Sequence, residues 1–211
     1  MGKPVIVIEH LEEGLSPWLI LEYRHVGMLA GRDNLVFTNV PVKYNNILAR
    51  YGRVVNESIV DLVKKRSVPP REVIILDPKA SRRLEYSDFG KARYFVIGGI
   101  LGDHPPRGRT YEYLTSRLPE CESRNIGDRQ FSIDGSAYYV LYLYNNRDDK
   151  GLNFIDGVDI EIEMGSVHLP YRYPIVGGKP LLAPGLEYYI KYRRLPPEIA
   201  EEVYGGRLRE K

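Results

Sequence analysis

Tyr94-Phe95-Val96-Ile97-Gly98-Gly99-Ile100-Leu101-Gly102-Asp103-His104-Pro105-Pro106-Arg107 is the stretch on which the fold turns. Its first four residues are aromatic and β-branched, as in a short buried strand. That strand runs straight into three glycines within five residues, where backbone can approach a ligand closely. No Gly-Lys-Ser/Thr follows, so this is not a P-loop, and the spacing is not that of a Gly-x-Gly-x-x-Gly dinucleotide loop. A plain strand-to-helix turn is the bland alternative, but a turn alone does not require ten such residues.

Working outward, apolar strands alternate with helical patterns on both sides. Val5 to Ile8 reads as a buried strand ending at Glu9-His10. Ser16-Pro17 reads as N-cap and first helical residue, opening a helix from Trp18 to about Ala30. Leu35 to Thr38 is a second strand. Ile47, Leu48 and Tyr51 mark a short helix closed by Gly52, and Ser58 to Lys65 another. Glu72 to Leu76 is a third strand, ending at Asp77-Pro78, and Tyr94 to Ile97 the fourth. Thr110 to Arg117 is expected to be helical, Cys121 to Arg124 a short strand, and Gly135 to Tyr144 a helix capped by Ser132 or Asp134. This alternation predicts an α/β fold with a parallel, helix-covered sheet. After the polar stretch Asn145 to Gly151 the texture changes. Val158 to Ile162 alternates like a half-exposed strand, and a last helix is expected near Gly185 to Arg194. The expected organisation is a main domain over 1–150 and a C-terminal extension over 151–211 packed on it.

Composition narrows the function classes. The chain has 211 residues, 43% hydrophobic and 27% charged, which excludes a collagen, a disordered tail and a membrane bundle. That length buries roughly 70% of the unfolded surface without staples. No signal peptide or membrane anchor is legible. The single cysteine, Cys121, makes neither an internal disulfide nor a Cys-x-x-Cys metal knuckle. The four histidines show no metal spacing, so no metal site is expected. These features point to the cytoplasm and away from a membrane. A net charge of +2 is too slight to indicate nucleic acid by itself.

In a parallel sheet, ligands bind beyond the carboxyl ends of the strands. Those positions hold Glu9-His10, Asp77-Pro78, the Gly98 loop, and a second unusual loop, Asn125 to Asp134. They are rich in acids: Glu9, Glu12, Glu13, Asp77, Asp103 and Asp128. Such a cluster attracts a guanidinium and repels phosphate, whereas RNA calls for a basic rim. Arg107, Arg109, Arg124 and Arg129, or Lys191, Arg193 and Arg194, could supply such a rim. Against both stands the ordinary use of acids as helix caps and macrodipole partners. Trp18, Tyr23, Tyr171 and Tyr173 read as packing, and His104 as either a base or a structural hydrogen-bonder.

Ile126-Gly127-Asp128 with Ser132 four residues on resembles the cofactor loop of bacterial tRNA guanine methyltransferases in the SPOUT class. More closely, the chain resembles a SPOUT subfamily that includes a eukaryotic methyltransferase of an arginine in a small-subunit ribosomal protein. Archaeal members of that subfamily are labelled predicted RNA methyltransferases. The matching islands are Glu9 to Gly14 with Ser16, Trp18 and Leu21-Glu22-Tyr23; Leu76-Asp77-Pro78 with Ala80; Phe95 to Arg107 with Arg109-Thr110; Gly127-Asp128 with Gln130; Leu169 to Tyr173; and Gly178-Lys179-Pro180. The resemblance implies a trefoil (α/β) knot, which general experience of folds argues against, and S-adenosylmethionine as cofactor. It places that cofactor against Leu76, Asp77, Pro78, Gly98, Gly99, Ile100, Leu101, Gly102, Asp103, His104, Ile126, Gly127, Asp128, Gln130, Phe131 and Ser132. With the acids at the strand ends, the expected mechanism is direct in-line methyl transfer, with Glu9 and Asp103 as catalytic candidates and Glu12, Glu13 and Arg107 as substrate-binding ones. The implied substrate is an arginine of a small-subunit ribosomal protein. The alternatives are methylation of rRNA or tRNA, and an assembly factor that binds S-adenosylmethionine or RNA without turnover. A monomer is favoured slightly over the usual SPOUT homodimer.

Overall fold

The computed structural model describes residues 2–101 and 108–205. In chain order its elements are β1 (Val5–His10), α1 (Pro17–Ala30), β2 (Leu35–Thr38), α2 (Asn45–Leu48), β3 (Arg53–Val54), α3 (Ile59–Lys64), β4 (Val73–Leu76), β5 (Tyr94–Gly99), α4 (Arg109–Tyr113), β6 (Glu122–Arg124) and α5 (Ile133–Asn146), followed by β7 (Asn153–Ile162), β8 (Gly165–Val176), β9 (Lys179–Pro180), α6 (Leu186–Tyr192) and α7 (Pro197–Tyr204). The first six strands form one sheet in the order β3-β2-β1-β5-β4-β6, every pairing parallel.

Alternation along the central strand sorts the two faces. Ile6 and Ile8 pack with Leu19, Tyr23 and Val26 of α1 and Ala137 and Val140 of α5. Val5 and Val7 pack with Val60 and Val63 of α3 and with Leu114 and Leu118 on the opposite face. Helix α1 starts as its sequence dictates, with Ser16 Oγ accepting from the Leu19 amide at 3.2 Å and Pro17 in the first turn. Helix α5 is capped by Ser132, whose Oγ accepts from the Gly135 amide at 3.1 Å. Asp134 is therefore not the cap: its carboxylate pairs with His25 Nδ1 at 2.7 Å.

Strands β1 and β5 run two residues further than their hydrophobic runs suggest. Glu9 pairs with Gly98 and His10 with Gly99 in continuous parallel register. The ligand-facing loops therefore begin at residues 11 and 100. Gly99 is obligatory here, because a Cβ would lie 2.2 Å from the Tyr23 hydroxyl, which donates to the Gly99 carbonyl at 3.2 Å. The loop after β4 is tied to β6 by a buried guanidinium: Arg124 Nε and Nη2 both reach the Asp88 carboxylate, at 2.9–3.2 Å.

The C-terminal part forms a three-stranded antiparallel sheet, β7-β8-β9. Only Val158 to Ile162 of it is legible as strand, since Pro170 and Pro174 interrupt the pattern of β8. The ladder accommodates Pro170 at a bulge, where the register shifts between Asp156 and Val158. Its apolar face joins Leu186, Ile190 and Ile199 of α6 and α7 over Ile20 and Leu21, on the outer side of α1. Tyr171 and Tyr173 are buried in that layer. The terminal helical region ends at Tyr192, and α7 follows a break at Arg193 to Pro196. Among the described residues no helix is long and apolar enough to cross a membrane.

Candidate active site

Two hollows open beyond the carboxyl ends of the central strands. The first is bounded by the end of β4, the end of β5, the start of α4 and the loop into α5. It gathers Leu76, Asp77, Pro78, Gly98, Ile100, Ile126, Gly127, Asp128, Gln130 and Phe131 from the expected cofactor residues. It also contains Lys79, Ile97, Gly108, Arg109, Thr110, Arg129, Ile133 and Ser136, which sequence reasoning does not assign to it. For Arg109 and Thr110 the signal is their place in the matching Gly98 island. Gly99 and Ser132 sit beside the hollow in structural roles, and Leu101 lines the second hollow instead. Gly102, Asp103, His104 and Arg107 lie outside the described residues.

The walls are chemically suited to an adenosyl group. Leu76, Ile97, Ile126, Phe131 and Ile133 give an apolar slot, and Gly98 and Gly127 leave backbone uncovered. Gly127 has φ +132°, a conformation that L side chains rarely adopt. Asp77 is buried, and its carboxylate is used internally: Oδ1 accepts from the Lys79 amide at 2.8 Å and Oδ2 from the Thr115 hydroxyl at 2.6 Å. It shapes the loop after β4 and holds the segment after α4 in place.

The second hollow is lined by Leu11, Glu12, Glu13, Gly14, Leu15, Ser16, Leu19, Tyr44, Leu101, Arg109 and Tyr113. Arg109 lines both hollows, and Leu101, two residues past β5, lies beside it in the second. Glu12 Oε1 accepts from the Leu101 amide at 3.0 Å and lies 3.6 Å from Arg109 Nη1, while Arg109 Nη2 donates to the Leu101 carbonyl. Glu13 is exposed on the rim. Two carboxylates and two tyrosines around an open cleft are what a guanidinium would seek.

Glu9, expected among the catalytic candidates, lines neither hollow. It lies inside β1, on the α3 face of the sheet, and is 1% exposed. Its Oε2 accepts from the Thr38 hydroxyl at 2.5 Å and the Ile59 amide at 2.9 Å, and Oε1 from the Ser58 hydroxyl at 2.5 Å. Burial raises its pKa while these three donors oppose the rise. It bolts β1, β2 and the start of α3 together. His10, on the opposite face, meets the Tyr23 hydroxyl through Nδ1 at 3.0 Å, and burial lowers its pKa.

Glu22 is a residue that sequence reasoning misses. It is 1% exposed, accepting from the Trp18 indole at 2.6 Å and from the Ile133 amide at 2.9 Å. It thereby joins α1 to the first turn of α5, against the first hollow. Burial, with Asp134 nearby, raises its pKa to about 8. The available signal is a lone glutamate among Trp18, Leu19, Ile20, Leu21 and Tyr23. Among the described residues no group of three or more His, Cys, Asp or Glu is placed to hold a metal ion.

A six-stranded parallel sheet with a glycine-lined slot at its carboxyl edge and an acidic cleft beside it is the SPOUT methyltransferase fold. The dual-specific Trm10 of Thermococcus kodakaraensis shares the fold, with TM-score 0.52 at 19% identity over 66% of this chain and 91% of that one. The chain belongs to the SFM1-like protein arginine N-methyltransferases, whose sequence profile matches residues 5–194. It is 33% identical to protein arginine N-methyltransferase SFM1 of Saccharomyces cerevisiae over 201 residues, 88% of this chain and 93% of that one. The crystal structure of the yeast arginine methyltransferase SFM1 complexed with SAM superposes with TM-score 0.80 at 31% identity, covering 92% of each chain. Further structures of the yeast enzyme hold SAH and MTA.

Proposed function

We propose that the protein is an S-adenosylmethionine-dependent methyltransferase that modifies an arginine of a small-subunit ribosomal protein, as a monomer, in the cytoplasm. The observation that supports this best is the adjacency of an adenosyl slot and an acidic cleft that share Arg109. Leu76, Ile126 and Phe131 would hold the adenosine, with Gly98 and Gly127 admitting it close to backbone. When bound, the cofactor supplies an electrophilic methyl group on a sulfonium. An arginine guanidinium stays protonated to a pKa of about 12 or more, so the protein must fix the fork and free a lone pair on one nitrogen. Glu12 and Glu13 would accept hydrogen bonds from two of its nitrogens, leaving the third for the methyl group. In-line alignment then does most of the work. Asp103 remains the candidate base.

The covered outer face of α1 supports a monomer. The same reading includes the trefoil knot, and Asn125 supports it. The carbonyl of this residue accepts from the Leu84 amide and its amide donates to the Arg82 carbonyl, both at 2.8 Å, so the chain leaving β6 runs against the loop after β4.

The test is transfer of labelled methyl to ribosomes that lack their own modification, followed by RNase or protease. Label that survives RNase and falls to protease supports the proposal. Label removed by RNase would replace the arginine by an RNA substrate.

A further inference from the structure

Beyond methyl transfer itself, but resting on the cofactor slot just described, we propose that Arg172 is a positioning residue for the cofactor loop. The β7–β8 hairpin is then a working part of that site. Three kinds of contact converge on this residue. Along the main chain, the Arg172 amide donates to the Gln130 carbonyl at 2.8 Å, and Phe131 and Arg172 form a parallel bridge. Across the hairpin, Arg172 faces Asp156, and the guanidinium grips that carboxylate with both arms, Nε to Oδ1 at 2.6 Å and Nη2 to Oδ2 at 2.9 Å. The remaining arm, Nη1, donates to Asp128 Oδ1 at 3.1 Å. The same nitrogen lies 3.4 Å from where a Cβ on Gly127 would stand, so the guanidinium is packed on the turn.

The division of labour follows from exposure. The Asp128 side chain is 81% exposed, and a single ion pair to it would order little. The Arg172 side chain is only 20% exposed, and the Asp156 fork fixes its plane before the loop is engaged. Phe131 is held from the same side, edge-on to Phe154 with ring centroids 5.4 Å apart. A loop held in its binding shape spares the ligand the ordering cost. The clamp touches neither the methyl donor's reacting atoms nor the acceptor cleft, so it should govern cofactor affinity and leave turnover alone. Lysine offers a point charge in place of a fork and cannot hold both acids at once.

The experiment is titration of the full chain with S-adenosylhomocysteine, paired with steady-state kinetics in S-adenosylmethionine. Arg172→Gln should bind S-adenosylhomocysteine five- to tenfold more weakly and raise KM for S-adenosylmethionine in parallel, with kcat within twofold of wild type. Arg172→Lys should recover only part of the loss. Asp156→Asn, on an exposed strand position and outside the slot, should weaken binding two- to threefold. In Arg172→Gln that second change should add nothing. Affinity within twofold of wild type in Arg172→Gln, or a loss confined to kcat, overturns the clamp. Should Arg172→Gln fail to fold, unchanged affinity in Asp156→Asn overturns it equally. Wild-type protein that binds no S-adenosylhomocysteine overturns the cofactor reading itself.

Discussion

Glu22→Gln should reverse its effect on stability between acidic and alkaline pH. The carboxyl is 1% exposed and its pKa stands at about 8, against an ordinary 4.5, chiefly because burial penalises the charged form. A carboxyl whose folded pKa is raised holds its proton more tightly folded than unfolded, so stability falls as pH rises. The loss begins above 4.5, runs at about 1.4 kcal/mol for each pH unit, and levels off past the folded pKa. Across that interval it withdraws roughly 5 kcal/mol. Glutamine has no such dependence. Its single carbonyl accepts from either the Trp18 indole or the Ile133 amide but not both, and a buried donor left unpaired costs about 1–3 kcal/mol. The variant should therefore be less stable than wild type at about pH 5. The curves should cross near pH 6, and the variant should lead by about 2–3 kcal/mol at pH 8, by difference of the two magnitudes above. The assay is urea unfolding at equilibrium from about pH 5 to pH 9, with the denaturant slope checked for constancy. A stability difference that stays the same across that range would refute the reasoning, because it would mean that Glu22 is ionised throughout or solvated.

Three further outcomes follow from the same geometry. Glu9→Ala strands the Thr38 and Ser58 hydroxyls and the Ile59 amide, and should cost about 3 kcal/mol or more in chemical denaturation; the part that remains folded should keep its kcat, whereas a catalytic Glu9 would lose kcat in fully folded protein. Glu12→Gln should raise KM for the protein substrate about tenfold, the loss of roughly 1.4 kcal/mol expected for a charge-assisted hydrogen bond, with S-adenosylhomocysteine affinity within threefold when titrated separately. Gly99→Ala drives a methyl into the Tyr23 hydroxyl and the Glu9 carbonyl, and should lower the midpoint of thermal unfolding by several degrees; an unchanged midpoint would mean that β1 and β5 do not pair Glu9 with Gly98 and His10 with Gly99.

The parallel sheet is legible because its strands are near-continuous apolar runs, and both long helices are opened by a serine that behaves as a cap. The C-terminal sheet is not, since the prolines of β8 contradict strand propensity and are tolerated only through a bulge and a short third strand. The acidic cleft is legible in part. Glu12 and Glu13 lie just past the end of β1, where chain position alone places them at the sheet's carboxyl edge. Arg172 is not legible as a contributor, because its contacts join residues 128, 156 and 172 across separate elements, and no local pattern encodes that.

Glu9 shows why one register decides so much. By hydrophobicity alone the strand stops at Ile8, because a charged residue follows four apolar ones, and Glu9 then falls in the ligand-binding zone. Pairing with Gly98 and Gly99 carries β1 two residues further. Strand alternation then places Glu9 on the α3 face and His10 on the α1 face, so neither side chain projects toward the slot. A charge can end a strand's apolar run without ending the strand, provided donors await it inside. Here Thr38 from β2, Ser58 at the cap of α3 and the Ile59 amide supply three of them. The chemistry consequently begins at Leu11, and the nearest acids to the adenosyl slot among the described residues of that loop are Glu12 and Glu13. The strand-end rule holds, but its origin is fixed by hydrogen-bonded register and not by the end of the apolar run. For this chain, that shift makes Glu9 a buried carboxylate that holds strands together, and leaves Glu12 and Glu13 as the acids that line the second hollow.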